Sequence, residues 1–389
     1  MTKRRVAVTG LGIVSQPGIG ADQFWEGLKM PPIAGEHHQI LDWDAEKWMP
    51  KREARRLDRF AQMALVATEE ALAQAGDLTA SVDRVAVPVA SGIGGLEALE
   101  ELVEAAYSTD RRPSPLLVPM MMCNAAAAAI SIKYGFGGPV TTQVVACAAG
   151  GQAIIDGIRA IQWGYADVAI AGGAEAAIRE PSIAGFVAAR AMSPTLTARP
   201  FSIDRDGMVL GEGAAILVLE EWKIAESRGA TILAEMTGGA ATGDAYHLTA
   251  PHPEGAGAER ALRLALADAG VDASEVGYVN AHGTGTDLND RTEGGVIARV
   301  FAEQPPVSSI KGATGHALGA SGAIEALASV LAITKQELPP NLGLTEQDPE
   351  IPLTDIVREP RTFTASPIVS NSFGFGGHNT VLVISPPFS

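Results

Sequence analysis

The sequence is poor in cysteine and in aromatic residues. Among its 389 residues only Cys123 and Cys147 are cysteines, and phenylalanine, tryptophan and tyrosine together make up 5%. Two cysteines cannot build the disulfide framework of a small secreted domain, so an apolar core must stabilise the fold. The 43 glycines and the alanine-rich segments favour helices and strands packed close together.

Long hydrophobic runs are also lacking. No segment approaches the ~18 uninterrupted apolar residues of a membrane span. The apolar residues 6–14 follow basic ones, as in a signal peptide, but Thr9, Gly10 and Gly12 interrupt them. This pattern predicts a buried strand that runs into a glycine turn. We therefore expect a soluble, cytoplasmic protein with no membrane partner.

Positive charge is scarce, with 29 lysines and arginines against 45 acidic residues and a net charge of −16. This balance argues against nucleic acid as a partner. An acidic protein partner would require a local basic patch, and a cluster of the right sign occurs at Lys51, Arg52, Arg55, Arg56 and Arg59. The alternative for such a cluster is an ordinary solvated helix face.

Strand-like and helix-like segments alternate along the chain. Apolar, β-branched runs predict strands at residues 5–14, 84–92, 167–175, 214–221, 276–283 and 367–374. Apolar residues three and four apart predict helices at 55–76 and 257–270. The alternation predicts an α/β fold with largely parallel strands.

A faint internal repeat divides the chain. Residues 140–161 and 306–333 each combine a strand, a glycine-containing turn and a helix rich in alanine and isoleucine. We expect two similar halves, 1–225 and 226–389, with the nucleophile-bearing segment in the first and two histidines in the second. Two halves that face each other would bring the two helix starts together.

Cys147 is the candidate nucleophile. It lies at a strand-to-helix junction among small residues, where backbone N–H groups stabilise a thiolate and lower its pKa. A buried, inert thiol is the alternative, and it is what we expect for Cys123. Small neighbours at Cys147 would let a thioester approach.

Two histidines and a phenylalanine loop complete the candidate site. His282 and His316 lie in glycine-rich loops at predicted strand ends, where α/β proteins place their sites. A third loop, around Phe373 and Phe375, could supply backbone N–H groups to an oxyanion. A zinc site formed by the cysteine and the two histidines stays possible, but no short ligand spacing supports it.

Four sequence blocks resemble the signature blocks of the β-ketoacyl-ACP synthase family, in the family's order. They are ACAAGG, NAHGTGTDLND, KGATGHALGASGAIE and NSFGFGGHN. RDGMVLGEGAAILVLEE, AGGAEA and DAYHLTAP extend the resemblance over essentially the whole chain. It is most similar to the elongating enzymes with a Cys-His-His site. The resemblance implies the thiolase fold, a five-layer α-β-α-β-α arrangement of two similar halves.

The resemblance also implies a mechanism and its residues. Cys147 would receive an acyl group from an acyl carrier protein, and His282 and His316 would stabilise the enolate formed from malonyl-carrier protein. Lys311 and Glu325 match supporting charged residues, expected to orient His316 and the helix start, and Phe375 matches a gating position. No metal or organic cofactor is implied.

Further positions match the family's substrate and partner contacts. Ile93 and Phe186 match acyl-channel positions, and Phe373 is a further candidate for substrate binding. Carrier-protein docking is expected at Arg52, Arg55, Arg56, Arg111, Arg112 and Arg190. The resemblance also implies that the segment before Cys147 pairs with a second subunit across a two-fold axis.

Three departures separate the chain from fatty-acid elongating enzymes. Ala148 and Ala149 follow the nucleophile where a hydroxyl residue is common, His378 replaces a threonine, and DLNDRTE replaces a proline–glycine–aspartate pattern. The last is similar to ketosynthase subunits of type II polyketide systems. We therefore expect a polyketide or polyene pathway and a heterodimer with a homologue that lacks the nucleophile, a chain-length factor. A homodimer in fatty-acid synthesis is the alternative.

Two other functions fit the residues less well. A non-catalytic scaffold like a chain-length factor would have lost the nucleophile, which this chain keeps. A degradative thiolase acting on coenzyme A esters would need a second cysteine near the C-terminus, and none follows Cys147.

Overall fold

The computed structural model describes residues 3–108 and 112–387. The strands are β1 Val6–Ser15, β2 Gly18–Ile19, β3 Val85–Ala90, β4 Val140–Thr141, β5 Val168–Glu175, β6 Gly213–Glu221, β7 Ala234–Gly243, β8 Tyr278–Asn280, β9 Val307–Ser308, β10 Glu337–Leu338, β11 Arg361–Thr362, β12 Ile368–Gly374 and β13 His378–Ser385. The helices are α1 Ala21–Gly27, α2 Lys51–Ala54, α3 Arg59–Ala75, α4 Leu96–Tyr107, α5 Leu117–Met121, α6 Ala125–Tyr134, α7 Ala149–Gln162, α8 Glu180–Ala188, α9 Trp222–Ser227, α10 Ala256–Ala269, α11 Asp287–Val300, α12 Lys311–Thr314 and α13 Ser321–Lys335.

The sheet topology contains the same five-strand pattern twice. The order β1-β6-β5-β3-β4 in the first half corresponds to β7-β13-β12-β8-β9 in the second. In each half the first two neighbouring pairs are antiparallel and the last two are parallel. β1 pairs with β7 and joins the halves. The internal repeat predicted from the sequence is therefore visible in the strand order.

Helices form layers on both sides of each half-sheet. α3 and α6 pack on the first half, and α10 and α11 cover the second. α7 and α13 lie between the halves, because each contacts strands of both. These five layers confirm the thiolase fold. One helical stretch of the described residues, Leu318–Lys335, is long and apolar enough to cross a membrane, but 89% of it is buried inside the protein.

The two central helices approach each other through glycines. A Cβ on Gly150 of α7 would lie 2.6 Å from the nitrogen of Ala323 in α13, and one on Gly322 would lie 2.6 Å from the nitrogen of Gly151. No larger residue fits this crossing without a backbone shift. The close approach brings together the turns that precede the two helices.

Three segments differ from the sequence-based predictions. The strands β7 and β13 were not predicted. Glycine and threonine interrupt the apolar pattern of β7, whereas β13 contains an uninterrupted apolar run at residues 381–384 that was missed. The segment before Cys147, expected to be a strand, forms one only at Val140–Thr141, and both residues are exposed. We propose that the boundary between the halves lies near residue 225, between β6 and β7.

Candidate active site

Cys147 lies in a single 3-10 turn, Ala146–Ala148, directly before α7. Ala146 adopts a left-handed backbone conformation with φ of 50°, which is uncommon for a residue with a side chain. The turn leaves the Cys147 side chain 8% exposed at the floor of a cleft. Cys123, expected in the core, is instead only partly buried, with Sγ 3.5 Å from the carbonyl oxygen of Ile93.

The electrostatic environment of Cys147 differs from the sequence-based expectation. Burial raises the pKa of the thiol to about 11, whereas we expected the helix start to lower it. The charge of Lys311 and the backbone N–H of Phe375 oppose this rise, and the buried carboxylates Glu175 and Glu325 add to it. The resting site therefore holds a neutral thiol, and its proton must leave when the sulfur reacts as a nucleophile.

His282 follows β8 and is held on two sides. Its backbone N–H donates to Oε1 of Glu293 at 2.8 Å, and its Nδ1 lies 3.2 Å from Nζ of Lys311. An ammonium group can only donate, so Nδ1 accepts and the neutral ring carries its proton on Nε2. Burial, with Lys311 and His316, lowers the pKa of His282 well below its usual value. The ring is thus a neutral Nε2–H donor.

His316 is the second buried imidazole. Its ring centre lies 5.3 Å from that of His282, and its Nδ1 lies 2.9 Å from Oγ of Ser321 at the start of α13. Burial and the charge of Lys311 lower its pKa well below the usual value. The Ser321 hydroxyl can donate or accept, so the Nε2 of His316 can act as a donor or as a base.

Lys311 contacts a different histidine from the one that the sequence predicted. We expected it to support His316, but its ammonium contacts Nδ1 and the carbonyl oxygen of His282, the latter at 2.6 Å, and the carboxylate of Glu325. Burial raises the pKa of Glu325 to about 7, against the effect of Lys311. The buried pair fixes His282 from behind, and loss of one partner of such a pair costs about 3–5 kcal/mol.

The three candidate catalytic side chains converge. Sγ of Cys147 and ring nitrogens of His282 and His316 all lie within 4.8 Å of one another. They form the floor of a cleft of about 260 Å³. The predicted residues Phe186, Phe373, Phe375 and Arg190 also line this cleft. Ile93 is not among its lining residues and is 36% exposed.

Backbone N–H groups face the thiol from the loop after β12. A Cβ on Gly374 would lie 3.1 Å from the nitrogen of Cys147, so this loop lies directly against the nucleophile turn. The N–H of Phe375 reaches the Cys147 sulfur. The ring of Phe375 lies 6.3 Å from that of Phe186, and both rings line the cleft that contains the thiol. The arrangement fits an oxyanion hole with an aromatic cover.

The donor atoms could hold a metal ion, because one sulfur and two imidazole nitrogens suit Zn²⁺. A ligating imidazole normally donates its other nitrogen to a carboxylate or carbonyl group. In His282 that nitrogen accepts from the Lys311 ammonium, whose charge repels a cation. The surroundings therefore favour acid–base and hydrogen-bonding chemistry over metal binding.

Three buried carboxylates were missed by the sequence analysis. Glu293 accepts from the N–H groups of His282 and Gly283, and Asp290 accepts from Gly285, so both hold the His282 loop. Glu175 accepts from the N–H groups of Gly92 and Gly319 and links two loops beside the site. Glu175 follows an apolar run, whereas Asp290 and Glu293 lie in the polar stretch 287–293, where the sequence alone does not distinguish a buried carboxylate from an exposed one.

The arginines that are candidates for carrier-protein docking differ in exposure and in ion pairing. Arg52, Arg55 and Arg56 are exposed and make no ion pair with another described residue. Arg59, grouped with them in the sequence, instead pairs with Glu212 at 2.5 Å and is partly buried. Arg112 is exposed, and Arg111 lies outside the described residues.

Comparison with known proteins identifies the family. Residues 32–225 match the family described as beta-ketoacyl synthase, N-terminal domain, and residues 233–345 match the corresponding C-terminal domain. The 3-oxoacyl-(acyl-carrier-protein) synthase 2 of Synechocystis sp. is 43% identical, with 98% of each chain covered. Among solved structures, the ishigamide ketosynthase/chain length factor is similar, with a TM-score of 0.90, 32% identity and 100% of each chain covered.

A second solved structure is a type II PKS acyl-carrier protein in complex with its ketosynthase bound to the hexaketide. It is 30% identical, with a TM-score of 0.90 and 100% of each chain covered. The identity to the Synechocystis relative and the family matches extend over the segments that carry Cys147, His282 and His316. The chain therefore belongs to the β-ketoacyl synthase family and is an acyltransferase of the condensing type, a β-ketoacyl-ACP synthase.

Proposed function

We propose that Cys147 holds the growing acyl chain while His282 and His316 generate the attacking enolate. In the first step the Cys147 sulfur attacks an acyl-carrier thioester, and the thiol proton passes to the carrier thiolate that leaves. Burial depresses the pKa of His282 and of His316, so both rings stay neutral and remain available as hydrogen-bond donors in the second step. The acyl chain is then a thioester on Cys147.

Decarboxylation of malonyl-carrier protein follows. The bond between the α-carbon and the carboxylate breaks, carbon dioxide leaves, and the electron pair forms an enolate. The Nε2–H groups of His282 and His316 would donate to the enolate oxygen. The enolate carbon then attacks the Cys147 thioester, whose oxyanion accepts from the N–H groups of Cys147 and Phe375. Collapse of this oxyanion expels the Cys147 thiolate, which takes up a proton from solvent, and releases the elongated β-ketoacyl product on the carrier.

One observation carries this proposal: the Cys147 sulfur and the histidine nitrogens lie within 4.8 Å of one another at the floor of one cleft. Cys147→Gln tests it, because glutamine removes the acyl acceptor and leaves both histidines. We expect the variant to decarboxylate malonyl-carrier protein without forming a condensation product. Loss of both activities in a folded variant would count against separate roles for cysteine and histidines.

We infer that the substrates arrive on an acyl carrier protein, in acyl- and malonyl-loaded forms. Arg52, Arg55 and Arg56 offer exposed positive charge that no acidic side chain of the described residues pairs, on a protein of net charge −16. Arg190 lines the cleft mouth, where the carrier's thioester arm would enter. Relatives of the fatty-acid-synthase type further support a cytoplasmic location.

The finer function that we propose is elongation in a type II polyketide or polyene pathway. The DLNDRTE block supports it, because Asp287, Leu288 and Asn289 of this block line the cleft. The two polyketide-type structures described above add support. The alternative is fatty-acid elongation, which the 43% identity to a 3-oxoacyl-(acyl-carrier-protein) synthase 2 favours over the 30–32% identity to the polyketide structures.

The proposed second subunit would cover the exposed edge at β4. Val140 and Val144 are 41% and 50% exposed beside this edge, which pairs only with β3 among the described strands. An unpaired apolar edge favours association with a related chain. A heterodimer with a chain-length factor fits the polyketide proposal, and a homodimer fits the alternative.

Expression of the chain alone tests this choice. An inactive or insoluble chain that recovers when a nucleophile-free homologue is co-expressed would support the heterodimer. A soluble, active homodimer would favour the fatty-acid alternative and contradict the heterodimer.

A further inference from the structure

A third histidine, His38, lies behind the turn that carries His316. Its side chain is completely buried, and its Nδ1 lies 2.8 Å from the carbonyl oxygen of Ala313 in α12. A carbonyl oxygen can only accept, so the Nδ1 of His38 must carry the proton. This fixes the tautomer of the ring and makes it a donor to the catalytic turn.

The Ala313 carbonyl oxygen has no backbone alternative. It belongs to the last turn of α12, where carbonyl groups lack intrahelical partners. The next N–H groups are used elsewhere: Gly315 donates to the oxygen of Lys311 at 3.0 Å, and His316 donates to that of Val209 at 2.7 Å. No backbone N–H of the described residues donates to the Ala313 oxygen. The His38 imidazole therefore satisfies it.

Backbone hydrogen bonds also connect His38 to His316, through the segment that contains Leu210 and Gly211. The N–H of His38 donates to the oxygen of Leu210 at 2.8 Å, and the N–H of Gly211 donates to the oxygen of His316 at 3.0 Å. A Cβ on Gly315 would also lie 3.0 Å from the Cβ of His38. The hydrogen bond from the His38 side chain to Ala313 thus adds to the packing of His38 against the turn at Gly315.

We propose that His38 is a positioning residue for His316 in the enolate-forming step, a role that rests on the proposed function of His316. The hydrogen bond from His38 to the Ala313 carbonyl oxygen fixes the position of α12 and of the turn that follows it. In that position the turn directs Nε2 of His316 into the cleft. The same short helix carries Lys311, which contacts His282. A small displacement of a catalytic group costs up to about 100-fold in rate.

Matched substitutions test the bond. His38→Asn places an amide N–H near the position of Nδ1, whereas His38→Gln places it near the position of Nε2, where it cannot reach Ala313. We expect His38→Ala and His38→Gln to lower kcat for malonyl decarboxylation by about 10- to 100-fold with little change in KM. His38→Asn should recover most of the rate. His37→Ala, at the half-buried neighbour, is the control and should match the wild type.

Acylation of Cys147 separates positioning from loss of folding. In His38→Ala we expect the rate of acyl adduct formation, measured by mass spectrometry, to change less than the decarboxylation rate. Equal losses in both rates that follow the folded fraction would contradict the proposal. Equal recovery by asparagine and glutamine, or a wild-type decarboxylation rate in His38→Ala, would also contradict it.

Amide hydrogen exchange in residues 311–317 provides a readout that needs no substrate. We expect faster exchange in His38→Ala and His38→Gln, and near-wild-type exchange in His38→Asn. Unchanged exchange in all three variants would overturn the positioning role. If exchange responds as expected but wild-type protein does not decarboxylate malonyl-carrier protein, then the proposed function fails and the His38 contact stands.

Discussion

At the scale of single residues, Cys147 lies at a helix start, where a nucleophile is expected, but its burial keeps the thiol protonated. Lys311 and the Phe375 N–H favour the thiolate, but burial dominates and raises the thiol pKa to about 11. Because the protonated form is favoured, the thiolate fraction increases only as the pH rises toward that value. Reaction with a carrier thioester must therefore transfer the thiol proton to the carrier thiolate that leaves.

This balance predicts the pH dependence of thiol alkylation. The rate of modification of Cys147 by iodoacetamide should still be rising above the ordinary cysteine pKa of 9.0, toward the value of about 11. Lys311→Met should slow alkylation at a given pH, because it removes the nearest positive charge. Cys147→Ala corrects for reaction at Cys123. A plateau near neutral pH would show that the helix start lowers the pKa after all.

The histidines allow a second prediction at this scale. His282→Ala and His316→Ala should each lower malonyl decarboxylation by about 10²–10³-fold, because each removes one donor to the developing enolate. The decarboxylation rate, measured as released carbon dioxide, tests this directly. His37→Ala, at a half-buried histidine outside the cleft lining, is the control. A wild-type rate in either catalytic-site variant would show that its ring does not bind the enolate.

At the scale of the elements, the crossing of α7 and α13 places Cys147 beside His316. Gly150→Ala should lower the free energy of unfolding by about 1–3 kcal/mol, because the added methyl would overlap the backbone of α13. Condensation should fall as well, since the two helix starts would move apart. Gly185→Ala in α8 is the matched control, with no atom within 4 Å of the new Cβ. It should be neutral or slightly stabilising.

Denaturant unfolding and condensation rates measure both effects in this pair of variants. If Gly150→Ala matches Gly185→Ala in stability and in activity, the close helix contact does not determine the site geometry.

The sequence predicted these elements unevenly, for physical reasons. Buried strands such as β1 and β5 have continuous apolar runs and were recognised, whereas β7 is interrupted by glycine and threonine and was missed. The glycine-rich blocks located the three catalytic candidates. The partner of Lys311 could not be predicted, because its contact with His282 depends on how α12 folds back against β8. His38 carries no sequence signal, since its role depends on one carbonyl oxygen.

At the scale of the whole molecule, the net charge is negative, whereas the surface around Arg55 and Arg56 is positive. The chain carries −16 overall, yet Arg55 and Arg56 are exposed and unpaired among the described residues. Reversal of both charges should raise KM for acyl-carrier protein by roughly 3- to 10-fold at low ionic strength, where electrostatic steering is strongest. The alkylation rate of Cys147 should stay unchanged, because the chemistry is intact.

Arg358→Glu, at an exposed arginine of the second half, is the control and should leave KM unchanged. An unaltered KM in the Arg55 and Arg56 variant at low ionic strength would mean that the carrier protein docks on another surface.

The most direct test of the account is the mass of the intact protein after incubation with acyl-carrier protein and then with malonyl-carrier protein. We expect one acyl adduct on Cys147, absent from Cys147→Ala, that disappears in the second incubation as a β-ketoacyl chain two carbons longer forms on the carrier. An adduct on Cys123 at the same rate, or an adduct on Cys147 that malonyl-carrier protein does not discharge, would contradict the account.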